Sequence, residues 1–125
     1  MKSHFLAFAL LIMSASAFGQ VIVGNMDINR VDSIKHVEVF IDRPAGRKVV
    51  SVALDFGQLD NSLFGTIGVR NDDFRIMDPK TNTKMVFKST AAVLNFMNKN
   101  NWEHYDTVAV TTGSAAGFYY YFKKK

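Results

Sequence analysis

Hydrophobic and polar residues alternate along two neighbouring segments of this chain, residues 36–42 (HVEVFID) and residues 48–56 (KVVSVALDF). The apolar positions of one side are Val37, Val39 and Ile41 in the first segment, and Val50, Val52, Leu54 and Phe56 in the second. A period of two is typical of a strand with one buried face. Pro44 and Gly46 supply turn chemistry between the segments, so we predict an antiparallel hairpin.

Four further segments are predicted as strands. Residues 74–77 and 84–87 flank a polar turn and predict a second hairpin. Residues 105–111 and 118–124 are separated by small residues and predict a closing pair of strands at the carboxyl end.

A helical stripe lies between these strand pairs. Thr90, Val93, Leu94 and Met97 fall at i, i+3, i+4 and i+7 and so lie on one side of a helix. Ser89 is predicted to cap the amino end, because its hydroxyl can accept a bond from an unpaired amide. Asn100 and Asn101 are predicted to end the helix, since asparagine tolerates the left-handed conformation that follows a carboxyl terminus.

These elements predict an α+β fold in which an antiparallel sheet carries one helix packed on one face. We expect Trp102 and Leu94 to be buried there. Their predicted partners in one cluster are Val50, Val52 and Val108.

Two segments show no sustained period. Residues 20–34 are predicted to be a leader or short edge segment ahead of a single domain at residues 35–125. Residues 57–73 are punctuated by glycine and asparagine, and we expect a long surface loop with one short strand at residues 66–69.

The amino end has the order of a secretory signal. A positive residue, Lys2, precedes an apolar run at residues 5–13, and small residues follow. This run is shorter than the roughly 20 residues that a membrane helix needs. We expect residues 1–19 to be a signal peptide, with a mature start at Gln20; cleavage that leaves Phe18 first is the alternative.

Cysteine is absent from the sequence. This excludes disulfides, thiol nucleophiles and thiolate metal sites, and a lipid attached to a cysteine after the signal. The expected location is therefore periplasmic or extracellular, as a soluble protein that is not a lipoprotein and has no transmembrane segment.

Basic residues are concentrated at the carboxyl end. The formal net charge is +4, and loss of Lys2 leaves +3, which Lys123, Lys124 and Lys125 account for. Because a nucleic-acid binder is expected to spread its basic residues over a face, we do not expect a nucleic-acid partner.

Four segments in the last third of the chain follow a distinctive order: Phe87-Lys88-Ser89, Ala92 to Met97, Asn101-Trp102-Glu103 and Tyr119 to Lys125. They match a pattern of an F-x-S start, a helix, a G-W-E-like turn and an aromatic-basic final strand. In this pattern the chain resembles small exported Bacteroidetes proteins of unknown function. Asn101 replaces the usual glycine, and Ala92 replaces an acidic residue. The resemblance implies no activity, because the family has no established one.

Candidate catalytic and metal-binding residues are sparse. The histidines after the signal are His36 and His104, and neither lies in a nucleophile motif. A metal site would need a third ligand close to both, and residues 27–32 break the spacing of a calcium loop. We therefore nominate no catalytic residue, no metal ligand and no cofactor-binding residue.

One predicted face is unusually aromatic. If the helix covers the side bearing Val37 and Val39, the opposite side carries Phe40, Tyr105, Tyr119 and Tyr121. A sheet face open to water normally carries polar residues, and tyrosine is favoured at interfaces. We expect this face to bind a partner protein, a glycan or another copy of the chain. The alternative is that residues 21–34 or 57–73 cover it.

The sequence as a whole favours a non-enzymatic exported binding or interaction module. A small periplasmic hydrolase or lyase with an unrecognised site is one alternative, and a structural accessory of the envelope is another. A deep cleft lined by histidine and aspartate would favour the enzyme.

Overall fold

The computed structural model describes residues 19–58, 72–112 and 115–125. Within these ranges the chain forms eight strands and one α-helix. The strands are β1 (Ile22–Val23), β2 (Met26–Asp27), β3 (His36–Asp42), β4 (Ser51–Asp55), β5 (Ile76–Asp78), β6 (Thr83–Lys84), β7 (Trp102–Thr112) and β8 (Ala115–Lys124), and the helix is α1 (Thr90–Lys99). The predicted signal peptide, except for Gly19, and the predicted strand at residues 66–69 lie outside the described residues.

Four strands form a large antiparallel sheet in the order β4-β3-β8-β7. Strand β3 coincides with the alternating segment from which it was predicted. It pairs antiparallel with β4, and Ile41 lies opposite Val52. The predicted first hairpin is therefore confirmed, and β8 joins it to β7 on the other side.

The other four strands form a small antiparallel sheet in the order β2-β1-β5-β6. The described residues therefore agree with the predicted α+β class, but they form two antiparallel sheets where one was predicted. Residues 20–34 supply β1 and β2, which are two residues each and too short to show a period. Their hydrophobic side chains nevertheless enter the core, with Val21, Val23 and Ile28 almost fully buried.

The helix begins and ends as its sequence indicates. The Ser89 hydroxyl accepts a hydrogen bond from the amide of Ala92 at 3.1 Å, which confirms the amino-terminal cap. Asn101 has a positive φ of 77° just beyond the carboxyl end, as expected for asparagine at this position. In the part of the chain that the structure describes, no helix is both long and apolar enough to span a membrane.

The main hydrophobic core combines side chains from both sheets and from α1. Val93 and Met97 of the helix share it with Val39 and Leu54 of the large sheet. Trp102 is fully buried in the same cluster, whereas Leu94 is only partly buried. A buried aromatic ring of this size stabilises a fold by about 3–5 kcal/mol relative to alanine.

Strand β7 contains a bulge that changes which side chains face the core. The pairing register between β7 and β8 shifts between His104 and Asp106. A bulge places one extra residue in a strand and so inverts the alternation beyond it. For this reason Val108 lies opposite Tyr119 and is 41% exposed, and its predicted burial with Trp102 was wrong.

Candidate functional site

The four aromatic residues singled out in the sequence lie on one face of the large sheet. Phe40 is directly opposite Tyr119 in the pairing of β3 with β8. Tyr121 lies two residues further along β8, and its ring centroid is 6.3 Å from that of Tyr105 on β7. The sheet therefore brings the four residues together, although it does not expose all of them.

Two of the four aromatic residues are covered by the chain itself. Phe40 and Tyr119 are only 2% and 5% exposed, and their rings meet edge to face with centroids 5.1 Å apart. They form a second buried cluster with Ala53 and Phe74. Phe74 ends a short 3-10 turn, Asp72–Phe74, which begins within the last residues of the predicted loop at residues 57–73. An exposed patch that includes Phe40 and Tyr119 is therefore absent.

The other two aromatic residues are less deeply buried: Tyr105 is exposed, Tyr121 is partly buried, and a histidine contacts Tyr105. Tyr105 is 49% exposed. Its ring meets His36 edge to face, with centroids 5.9 Å apart, and it also contacts Tyr121. The three side chains, which we call the aromatic strip, lie across three neighbouring strands.

Polar groups surround the aromatic strip in two rows across the sheet. In one row His36 is followed by Lys123 and Glu103, which form an ion pair at 3.9 Å. In the next row Tyr121 lies between Glu38 and Asp106. The bulge places Tyr105 between Glu103 and Asp106, so its ring has hydrogen-bonding groups on both sides.

Tyr121 and Glu38 are coupled by a hydrogen bond. Burial raises the pKa of Glu38, its bond from Tyr121 opposes that increase, and the charge of Asp55 adds to it. Burial also raises the pKa of Tyr121 to about 12, and the bond to Glu38 and the charge of that carboxylate contribute in the same direction. The Tyr121 phenol therefore keeps its proton at neutral pH and donates to the Glu38 carboxylate.

The two described histidines lie on opposite faces of the large sheet. His36 is paired with Lys123 on the face of the aromatic strip. His104 is opposite Phe122, and its Nε2 lies 2.8 Å from the Thr107 hydroxyl. Among the described residues, no three histidine, aspartate or glutamate side chains are grouped so that they could hold a metal ion.

Two clefts open elsewhere on the described surface. A cleft of about 240 Å³ lies beside β4 and includes Arg47, Arg75 and Lys84 with apolar walls. A second, of about 340 Å³, is lined by Gln58 and Asp73 beside the β1–β2 turn. Neither of these clefts combines histidine with aspartate, the feature by which the sequence would favour a hydrolase.

The chain matches no family model, no curated protein and no solved structure. The resemblance to exported Bacteroidetes proteins therefore remains a prediction.

His36 was not predicted to be a member of the aromatic strip. Alternation along β3 already placed His36 and Glu38 on the same side as Phe40. This alternation was enough to predict that both residues lie beside the aromatic side chains. The contact with Tyr105 was not predictable, because it depends on the bulge.

Proposed function

We propose that this chain is an exported, non-enzymatic binding module that holds a neutral glycan on the aromatic strip. The observation that carries the proposal is the Tyr105 ring, which is half exposed on a sheet face and makes a T-shaped contact with the ring of His36. A side chain of this kind offers apolar area together with one hydroxyl group.

The polar groups beside the ring match the chemistry of a sugar. Sugar hydroxyls both donate and accept hydrogen bonds. Glu38, Glu103 and Asp106 supply acceptors, and Lys123 supplies donors. Because three carboxylates surround one ammonium group, an anionic polymer would be disfavoured there. A neutral glycan fits both the ring and the charges.

The size of the strip favours a glycan over a protein partner. Three strands about 4.8 Å apart, and about three residues along each, give an area on the order of 100 Å². A stable protein interface usually buries about 800 Å² on each partner. The strip is thus large enough for one or two sugar rings and far smaller than a typical protein interface.

Export is the second part of the proposal and is supported by the sequence. Lys2, the apolar run at residues 5–13 and the small residues after it have the order of a secretory signal. An exported chain would meet envelope and extracellular polysaccharides. Side chains of both sheets pack in one hydrophobic core, which connects the sheets without a disulfide.

Affinity electrophoresis tests the glycan proposal. The chain is run in native gels that contain a neutral β-glucan, an α-glucan or a mannan, beside a gel without polysaccharide. We expect slower migration in at least one of the polysaccharide gels. Tyr105→Ser should remove the effect, because the stacking ring is lost, and Val86→Ser serves as a control since Val86 is 68% exposed away from the strip. Unchanged mobility in every gel, or retardation that persists in Tyr105→Ser, would overturn the proposal.

A further inference from the structure

The two edge strands of the large sheet, β4 and β7, differ in how far their outer backbone groups are hydrogen-bonded by other parts of the described chain. At the β4 edge, Arg75 Nη1 donates to the carbonyl of Val52 at 2.7 Å, and Gln58 Nε2 donates to the carbonyl of Leu54 at 2.9 Å. The amide of Val50 pairs with the carbonyl of Phe87. Three backbone groups along this edge therefore have partners within the chain, which protects the edge from pairing with another strand.

The β7 edge has no comparable cover among the described residues. Strand β7 is eleven residues long and is the last strand of the sheet. Within the described ranges, no strand pairs with its outer side. Residues 107–111 (TVAVT) contain no charged residue, proline or glycine. A long uncharged edge of this composition favours the addition of another strand.

The sequence of this edge reads the same in both directions about Ala109. We propose that two copies of the chain join through β7, antiparallel and in register about Ala109, to form one continuous eight-stranded sheet. In this register Ala109 faces its counterpart, Val108 faces Val110 of the other copy, and Thr107 faces Thr111. A two-fold interface requires such self-complementarity, and pairs of β-branched residues stabilise neighbouring strands.

Charge placement is compatible with the same register. Residues 107–111 are uncharged, so none of them would bring two like charges together across the two-fold axis. Asp106 would lie opposite Thr112 and not opposite another carboxylate. The bulge between His104 and Asp106 twists the strand there, so it limits pairing to the segment beyond it.

The dimer interface would also cover apolar side chains that are exposed in a single copy. Val108 is 41% exposed on one face, and Phe118, which is opposite Ala109 in β8, is 47% exposed on the other. Across the joined sheet the two Phe118 rings would flank a pair of alanines. Both exposed side chains thus gain neighbours from the second copy.

The two-fold axis would be perpendicular to the sheet, so both aromatic strips would lie on the same face. Two sites on one face can bind along one polymer and so raise the apparent affinity for it. This consequence rests on the proposed glycan binding. The dimer itself does not, because it uses backbone edges and residues outside the strip.

Cysteine cross-linking tests the register, since the chain has no cysteine of its own. Directly opposed residues in antiparallel strands have Cα atoms about 4.5–5.5 Å apart, within the roughly 4.4–6.8 Å that a disulfide spans. Ala109→Cys should give a covalent dimer on mild oxidation. Thr111→Cys should not, because its two copies would be about 13 Å apart, whereas the double variant Thr107→Cys, Thr111→Cys should cross-link again.

Charge variants provide a second measurement by size-exclusion chromatography with light scattering. The unmodified chain should reach twice the mass of one copy as its concentration rises. Ala109→Lys and Ala109→Glu should each remain at the mass of one copy, and an equal mixture should regain the dimer. A chain that stays monomeric, an Ala109→Cys variant that does not cross-link, or Thr111→Cys that cross-links as readily would overturn the proposal.

Discussion

The indole nitrogen of Trp102 donates a hydrogen bond to Oδ1 of Asn29, and the two atoms are 2.6 Å apart. Asn29 also donates through Nδ2 to the carbonyl of Asn100 at 2.9 Å. The Asn29 side chain therefore accepts a hydrogen bond from the buried Trp102 ring, which starts β7, and donates one to the carbonyl just past the end of α1. This links residues 20–34 to the helix and to the large sheet.

Loss of the Asn29 side chain should destabilise the fold. Asn29→Ala leaves a buried indole N–H without that acceptor, and we expect the free energy of unfolding to fall by about 1–3 kcal/mol. Urea denaturation measures this loss. In a Trp102→Phe background the same substitution should cost less, because the donor is already gone. Equal costs in the two backgrounds would show that the bond contributes nothing.

Gly117 should not tolerate a larger side chain. A Cβ added there would overlap the ring of Phe40, which lies against this position of β8. We expect Gly117→Ala to lower the free energy of unfolding by about 1–3 kcal/mol through overpacking. The double variant Phe40→Leu, Gly117→Ala should recover part of that loss relative to Phe40→Leu alone. A neutral Gly117→Ala would contradict the close packing of this buried cluster.

Stability should fall at alkaline pH because of Tyr121. Its pKa in the folded chain is about 12, against an ordinary value of 10.0. Between these values the unfolded chain releases the phenolic proton while the folded chain retains it, so rising pH favours unfolding. Denaturation measured across this window should show the decline, and Tyr121→Phe should reduce it. Glu38→Gln should lower the pH at which the Tyr121 phenol titrates, and ultraviolet absorbance follows that titration. A titration at unchanged pH would contradict the coupling between Tyr121 and Glu38.

The exported chain should begin at Gln20, or at Phe18 if the alternative cleavage occurs. Removal of residues 1–19 from the 125-residue chain leaves 106 residues, and intact-mass spectrometry of the secreted protein identifies the start. The amide nitrogen of Gln20 already lies 3.0 Å from Asn100 Oδ1, just past the end of α1. A freed ammonium group there would also face the negative end of the helix dipole. A secreted chain that retains Met1 would contradict the signal-peptide prediction.

The elements that the sequence predicted well are those with a complete local signal. Strand β3 alternates over seven residues, and its bounds follow from that alternation. The helix has a side-chain cap at Ser89 and an asparagine end, each of which acts on neighbouring backbone groups. Gly24-Asn25, between the pairs Ile22-Val23 and Met26-Asp27, was a usable hairpin signal, but strands of two residues show no period that would have supported it.

The errors arose where distant contacts decide the structure. The bulge in β7 has no marker in the sequence, since His104, Tyr105 and Asp106 include no glycine, and it moved Val108 to the opposite face. Phe74 covers Phe40 and Tyr119 from a position far along the chain. The exposed part of the predicted aromatic face was therefore reduced to the strip centred on Tyr105.

Chemical-shift mapping by nuclear magnetic resonance tests the central claim most directly. The isotope-labelled chain is titrated with a soluble oligosaccharide of the polysaccharide that retards it in gels. We predict saturable shifts at Tyr105, Tyr121 and His36, with the cleft beside β4 that contains Arg75 unaffected. Shifts confined to that cleft, or no saturable shift at the aromatic strip, would contradict the assignment of this face as a glycan-binding surface.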